Sequence, residues 1–205
     1  MDARQTSNLV DDQSAGIERL LEIMRRLRDP DTGCPWDIKQ TFKTIASYTI
    51  EEAYEVADAV ERSDWNDLEG ELGDLLLQSV YHATIGEEAW YFTFQTIITN
   101  ISNKMIARHP HVFGSESREK SVEQQIDDWE NIKAEERSTK KHIGVLDGIA
   151  SNLPALTRAL KLQKRAARVG FDWPNTDHVL AKISEESAEL IEARETLNKD
   201  NMIDE

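Results

Sequence analysis

Five carboxylates in the segment 48–83 stand at spacings that could do chemistry: Glu51, Glu52 and Glu55 in YTIEEAYEV, then Glu71 and Asp74 in GELGDLLLQ. A helix advances about 100° per residue, so the first three fall within roughly a third of its circumference, and Glu71 and Asp74 share a face. Ile50, Ala53, Tyr54, Ala57 and Val60 follow the spacing of a buried stripe beside the first group, as do Leu68, Leu72, Leu75, Leu76 and Val80 beside the second. Ser63 and Asp64 between them are turn and N-cap residues, so the pattern predicts a helical hairpin. Packed antiparallel, that hairpin brings Glu52 and Glu55 opposite Glu71 and Asp74. Like charges about 4 Å apart repel by ~4 kcal/mol at an effective dielectric near 20, so protons or a metal ion must offset them. Oxygen donors without His or Cys suit Mg²⁺ or Mn²⁺, and Mg²⁺ is typically shared between carboxylates and substrate phosphates. A di-iron centre would use Glu-x-x-His motifs, and none of the five His stands three residues after a Glu. The alternative for either acidic group alone is a solvated helix face.

The elements that must position these groups belong to a chain of 205 residues, long enough for one domain or two small ones. Its formal net charge of −15 disfavours binding to nucleic acid or an anionic membrane. A compact anionic ligand stays possible, because a metal and a few local bases can reverse the field within one pocket. The single Cys34 has no partner for an internal disulfide, the polar N-terminus lacks the apolar core of a signal peptide, and no run of ~18 apolar residues occurs. A cytoplasmic protein without a membrane span is expected.

Along the chain, residues 1–16 are expected to be disordered, and 17–27 to form a helix closed by Arg28 and Pro30. DPDTGCPWD is expected to be a loop, with Trp36 either a plug beneath it or a wall of the binding pocket. A further helix is predicted over 94–108, where Lys104 and Arg108, i and i+4 near its end, compensate the helix dipole or clamp a phosphate. HPHVFG follows as a structured turn in which His109 and His111 are turn residues rather than ligands. Ser121 and Gln124 make a capping box for a helix to about Arg137, with Trp129 most simply in the core. These elements give a first domain over 17–137, a polar linker over 138–152, and a second half over 153–205. Trp36 followed by EEAYE, and Trp173 followed by EESAE with Glu185, Glu186 and Glu189, form an internal repeat. The second copy stops before a counterpart of Asp74, which is expected to leave it incomplete.

The motifs GCPWD (33–37), EEAYE (51–55), GELGDLLLQ (70–78), RHPHVFG (108–114), WENIK (129–133) and VGFDW (169–173) resemble the MazG family of nucleoside triphosphate pyrophosphohydrolases, in its form with two MazG-like halves. The resemblance implies an all-α fold, with helical hairpins packed much as in a four-helix bundle. It also implies a homodimer and hydrolysis of a nucleoside triphosphate, with Mg²⁺, to the monophosphate and pyrophosphate. By the family's EExxE and ExxD pattern, Glu52, Glu55, Glu71 and Asp74 would hold the metal and carry catalysis. Lys104, Arg108, Trp129 and Lys133 match its phosphate- and base-contacting positions, and Ala107 stands where the family often has a second Arg. The competing expectation, from the shortened second copy, is a nucleotide-sensing or partner-binding helical module with little turnover. Self-association is expected from the apolar residues Leu72, Leu75, Leu76, Val80, Ile97, Ile98, Ile101 and Ile106, with cover by the second half as the alternative.

Overall fold

The computed structural model of the protein describes residues 9–117, 119–139 and 144–195, and among these residues the fold is all-α, with no strand. The chain divides into two compact units, Met1–Glu119 and Lys120–Glu205.

In the first unit, α1 (Gly16–Leu27), α3 (Phe42–Glu61) and α5 (Phe94–Arg108) all contact α4 (Trp65–Glu88), and α3 lies antiparallel along it. Met24 of α1, Ile45 of α3 and Val80, Tyr81 and Ile85 of α4 form the buried core, with Ile17, Leu20, Leu21, Phe42, Leu77 and Phe94 packed around it. This apolar mass fills the end of the hairpin where α3 begins and α4 finishes. The acidic groups lie toward the other end, so packing at one end holds them in register at the other.

Local chemistry fixes both ends of the hairpin. Thr41 and Thr44 form a capping box that starts α3. Asp64 caps α4 by accepting from the Asp67 N–H (3.2 Å), and Ser63 makes the tight turn with φ of 56°. Arg62 gathers the turn by donating to Asp58 (2.8 Å), Asp64 (3.3 Å) and Asp67.

The segment after α1 is only half a loop. Its second part is a short helix, α2 (Pro35–Lys39), begun by proline in its first turn, where a missing N–H costs nothing. Gly33 is required just before it, because a Cβ there would lie 2.5 Å from the carbonyl oxygens of both Leu27 and Asp29. Arg28, its side chain 6% exposed, ties this segment to the end of α4. It donates to Glu88 Oε1 and Oε2 (2.8 and 2.6 Å) and to the carbonyl of Asp37 (2.5 Å). Tyr81 Oη donates to Asp37 Oδ1 (2.7 Å), with the Arg28 guanidinium 5.6 Å from its ring centre.

Several expectations need correction. Of residues 1–16, those from 9 onward are described: 9–11 are helical and Arg19 Nε donates to the Val10 carbonyl (2.8 Å), while residues 1–8 lie outside those described. The stripe Ile50, Ala53, Tyr54, Ala57 and Val60 is exposed, and α3 instead turns inward Ile45, Thr49, Glu52, Val56 and Ala59. Two faces of α3 carry nearly the same periodicity, and the inward one holds Ile45 of the core, the fully buried Ala59 and the Thr49–His82 bond. On α4, Leu72 and Leu76 are likewise exposed, while Leu68 and Leu75 are half-buried. The turn after α5 contains one helical turn, α6 (Pro110–Phe113).

In the second unit, α7 (Val122–Thr139) starts with the expected capping box: Ser121 N–H donates to Gln124 Oε1 (2.9 Å) and Gln124 N–H to Ser121 Oγ (3.2 Å). α8 (Ala155–Ala167) and α9 (Thr176–Glu195) follow. The division falls ahead of α7, whereas the polar composition of 138–152 puts a linker behind it. Residues 140–143 of that linker, and 196–205 of the second copy, lie outside those described.

Candidate functional site

The capped, antiparallel hairpin brings the carboxylates of Glu52 and Glu55 from α3 and of Glu71 from α4 together, with one oxygen of each lying within 4.8 Å of the others. Glu52 and Glu71 are half-buried, Glu55 is exposed, and Asp74, also exposed, acts on Glu52 and Glu71 through space without joining that grouping. Loss of water, a hydrogen bond with Glu55, and the charges of Glu55, Asp74 and Glu71 hold Glu52 above the ordinary glutamate range. Glu71 is raised by loss of water and by Glu55, Asp67 and Asp74, with Arg62 opposing. Gly70 and Gly73 bracket Glu71, and a Cβ at either would meet nothing within 4 Å, so the flanks of that carboxylate are open.

Trp36 is not a plug. It is 51% exposed and stands edge-on to Tyr48, ring centres 6.2 Å apart, about one turn of α3 before the acidic group. Below the carboxylates, Thr49 donates to the Ile45 carbonyl (3.2 Å) and lies 3.1 Å from His82 Nε2. The hydroxyl proton is thus committed, so His82 Nε2 is the donor in that second bond. Burial lowers the His82 pKa, which keeps the ring neutral, and it stacks on Phe42 with ring centres 5.9 Å apart.

Lys104, exposed, and Arg108, half-buried, lie on the last turns of α5 in the same unit as the carboxylates. Trp129 and Lys133 lie on α7 in the second unit. Trp129 is half-buried rather than in a core, and Lys133 Nζ sits 5.7 Å from its ring centre while donating to Glu130 (2.6 Å). On α9 the second acidic triplet meets a cation on its own helix: Lys182 Nζ lies 2.9 Å from Glu185 and 2.7 Å from Glu186.

The expectations from residue types omit the polar layer formed by Thr49 and His82, with Gln78 one turn along α4 from it, and the ties made by Arg28 and Asp37. For the layer a signal existed, because Glu71, Gln78 and His82 continue one face of α4. Arg28 had none, since its partner Glu88 is distant in the chain.

A family model described as the MazG nucleotide pyrophosphohydrolase domain matches residues 40–113, which contain α3 to α6. The nucleoside triphosphate pyrophosphohydrolase of Escherichia coli (strain K12) is 53% identical over 182 residues, covering 88% of this chain and 69% of that protein. The nucleoside triphosphate pyrophosphohydrolase/pyrophosphatase MazG of Thermotoga maritima is 43% identical over 187 residues, covering 89% and 70%. A crystal structure of a mazG-related protein from Thermotoga maritima aligns at 32% identity with a TM-score of 0.48, over 57% of this chain and 98% of that one.

Proposed function

The chain belongs to the MazG nucleotide pyrophosphohydrolase family, and from that premise we propose that it hydrolyses a nucleoside triphosphate to the monophosphate and pyrophosphate at the carboxylates of α3 and α4, with Mg²⁺ held there. The observation that carries this is the meeting of Glu52, Glu55 and Glu71 across two helices. The donor set fits a hard divalent cation, since it is all oxygen, and loss of water together with the neighbouring carboxylates raises Glu52 and Glu71. Mn²⁺ fits the same donors.

Glu52, Glu55 and Glu71 would hold the ion, with Asp74 adding charge from the rim. When bound, such an ion supplies positive charge to the triphosphate and to the attacking water. The carboxylates orient that water and take up its proton. Lys104 and Arg108 contact phosphate oxygens by charge-assisted hydrogen bonds, while Trp129 and Lys133 serve as base- and phosphate-contacting residues. A nucleotide substrate and a lone free Cys34 fit the cytoplasm; among the described residues no helix is long and apolar enough to cross a membrane. The exposed Ile50, Tyr54, Leu72 and Leu76 support a symmetric dimer, because burying such side chains gains roughly 1.5 to 3 kcal/mol each. Light scattering is expected to give the mass of two chains, and a single-chain mass that persists on tenfold concentration excludes the dimer.

Incubation with each nucleoside triphosphate and Mg²⁺ is expected to release pyrophosphate and the monophosphate. Release of orthophosphate alone overturns the reaction. Nucleotide binding with no release over hours assigns a sensing module instead.

A further inference from the structure

The inward face of α4 carries one polar group that nothing yet explains. Gln78 is 7% exposed, and its Oε1 is buried without a hydrogen-bond partner among the described residues. An unpaired buried amide oxygen is costly and marks a missing partner. Its level in the hairpin follows from the bond between Thr49 and His82 (3.1 Å). One turn from Thr49 along α3 is Glu52, and one turn back from His82 along α4 is Gln78. The antiparallel register therefore sets Gln78 across from Glu52, between the Thr49–His82 layer and the carboxylates.

The neighbouring donors in that layer are already committed. Thr49 gives its proton to the Ile45 carbonyl, and His82 Nε2–H is given to Thr49. A carboxylate that ligates a cation leaves its outer oxygen in need of a donor, and such outer partners fix the orientation of the ligand. An amide can meet that need while its oxygen accepts from a water.

We propose that Gln78 is a positioning residue for the carboxylate cluster, its amide donating to Glu52 when Glu52 turns to hold the cation. This rests on the cluster being the cation site. In the structure Glu52 shares a hydrogen bond with Glu55, and the Gln78 amide oxygen has no partner among the described residues.

Two properties of the full chain separate positioning from mere packing. Gln78→Met replaces the amide with an apolar side chain of similar length, and Gln78→Leu is made beside it so that one awkward shape does not decide the outcome. In urea unfolding without divalent cations, both are expected to be at least as stable as the wild type, because an unpaired buried acceptor has been removed. In calorimetric titration with Mn²⁺ alone, both are expected to bind about 10- to 100-fold more weakly, the usual effect of losing an outer-shell partner. Variants that keep wild-type Mn²⁺ affinity overturn the inference and leave the cluster assignment standing. A wild type that takes up no Mn²⁺ overturns the cluster assignment, and the inference with it.

Discussion

The two acidic triplets of this chain are written almost alike, each on a helix of 20 residues, and they meet different surroundings. On α3, Glu52 and Glu55 face Glu71 of a second helix, and their negative charges accumulate. On α9, Glu185 and Glu186 are compensated by Lys182 from their own helix. Lys182 stands three residues before its triplet, the position that Tyr48 holds in the first copy. The difference teaches that such a triplet alone makes only a helix face. A carboxylate contributed from a second helix turns it into a site with an unmet demand for positive charge, and a lysine one turn away meets that demand locally.

The largest effect that would break the comparison is on turnover and Mn²⁺ binding. Glu55→Ala is expected to lower both by at least about 100-fold, more than the loss of an outer-shell partner, with far-ultraviolet circular dichroism unchanged. Glu186→Ala is expected to leave both close to wild type; the opposite order of effects would put the chemistry in the second copy.

A smaller effect lies in the pH dependence of stability. Glu52 and Glu71 are raised in the folded protein, so between the ordinary glutamate range and their raised values the folded state binds more protons than the unfolded one. Stability then falls as pH increases through that window. Glu22, whose hydrogen bonds with Arg25 and Arg26 hold it low, contributes the opposite slope, lost as pH drops below the ordinary range. Thermal midpoints measured in chelator from pH 4.5 to 6.5 should therefore decline more for the wild type than for Glu52→Gln, and millimolar Mg²⁺ should remove the decline. Equal slopes for the two proteins would mean that the carboxylates do not strain the apo hairpin.

The smallest effect belongs to α9. Lys182→Ala is expected to lower the thermal midpoint slightly at low salt and not at all at high salt, because an exposed ion pair with Glu185 and Glu186 is weak and screened. A midpoint unchanged at low salt would show that Lys182 does not compensate them.

Much of this was legible in the residues. The hairpin, its Asp64 cap, the limits of α5 and the convergence of Glu52 and Glu55 on Glu71 all follow from local spacing and capping chemistry. The inward face of α3 did not, because hydrophobic periodicity favours Ile50, Tyr54 and Val60, whereas the packed face carries Ile45, Ala59 and the Thr49–His82 bond to a second helix. The path of 29–40 was hidden for a different reason. It is set by Arg28 and Tyr81 reaching Asp37 and Glu88, and sequence spacing does not encode such distant pairings. Trp129 reads as core in the sequence because an aromatic on an amphipathic helix looks the same whether other apolar groups or a lysine lie against it.

Gly70 and Gly73 have a consequence for motion. Glycine inside a helix is less favourable than alanine by about 1 kcal/mol, and here no neighbour compensates, since a Cβ at either position would meet open space. The second and third turns of α4, beyond the Asp64 cap, are therefore expected to be its least persistent part, while the apolar core holds its far end. Local opening should start there, and the amide hydrogens around Glu71 should exchange with solvent sooner than those around Val80 and Tyr81. An ion bridging Glu71 to α3 would slow that exchange, which ties occupancy of the site to the persistence of the helix that builds half of it.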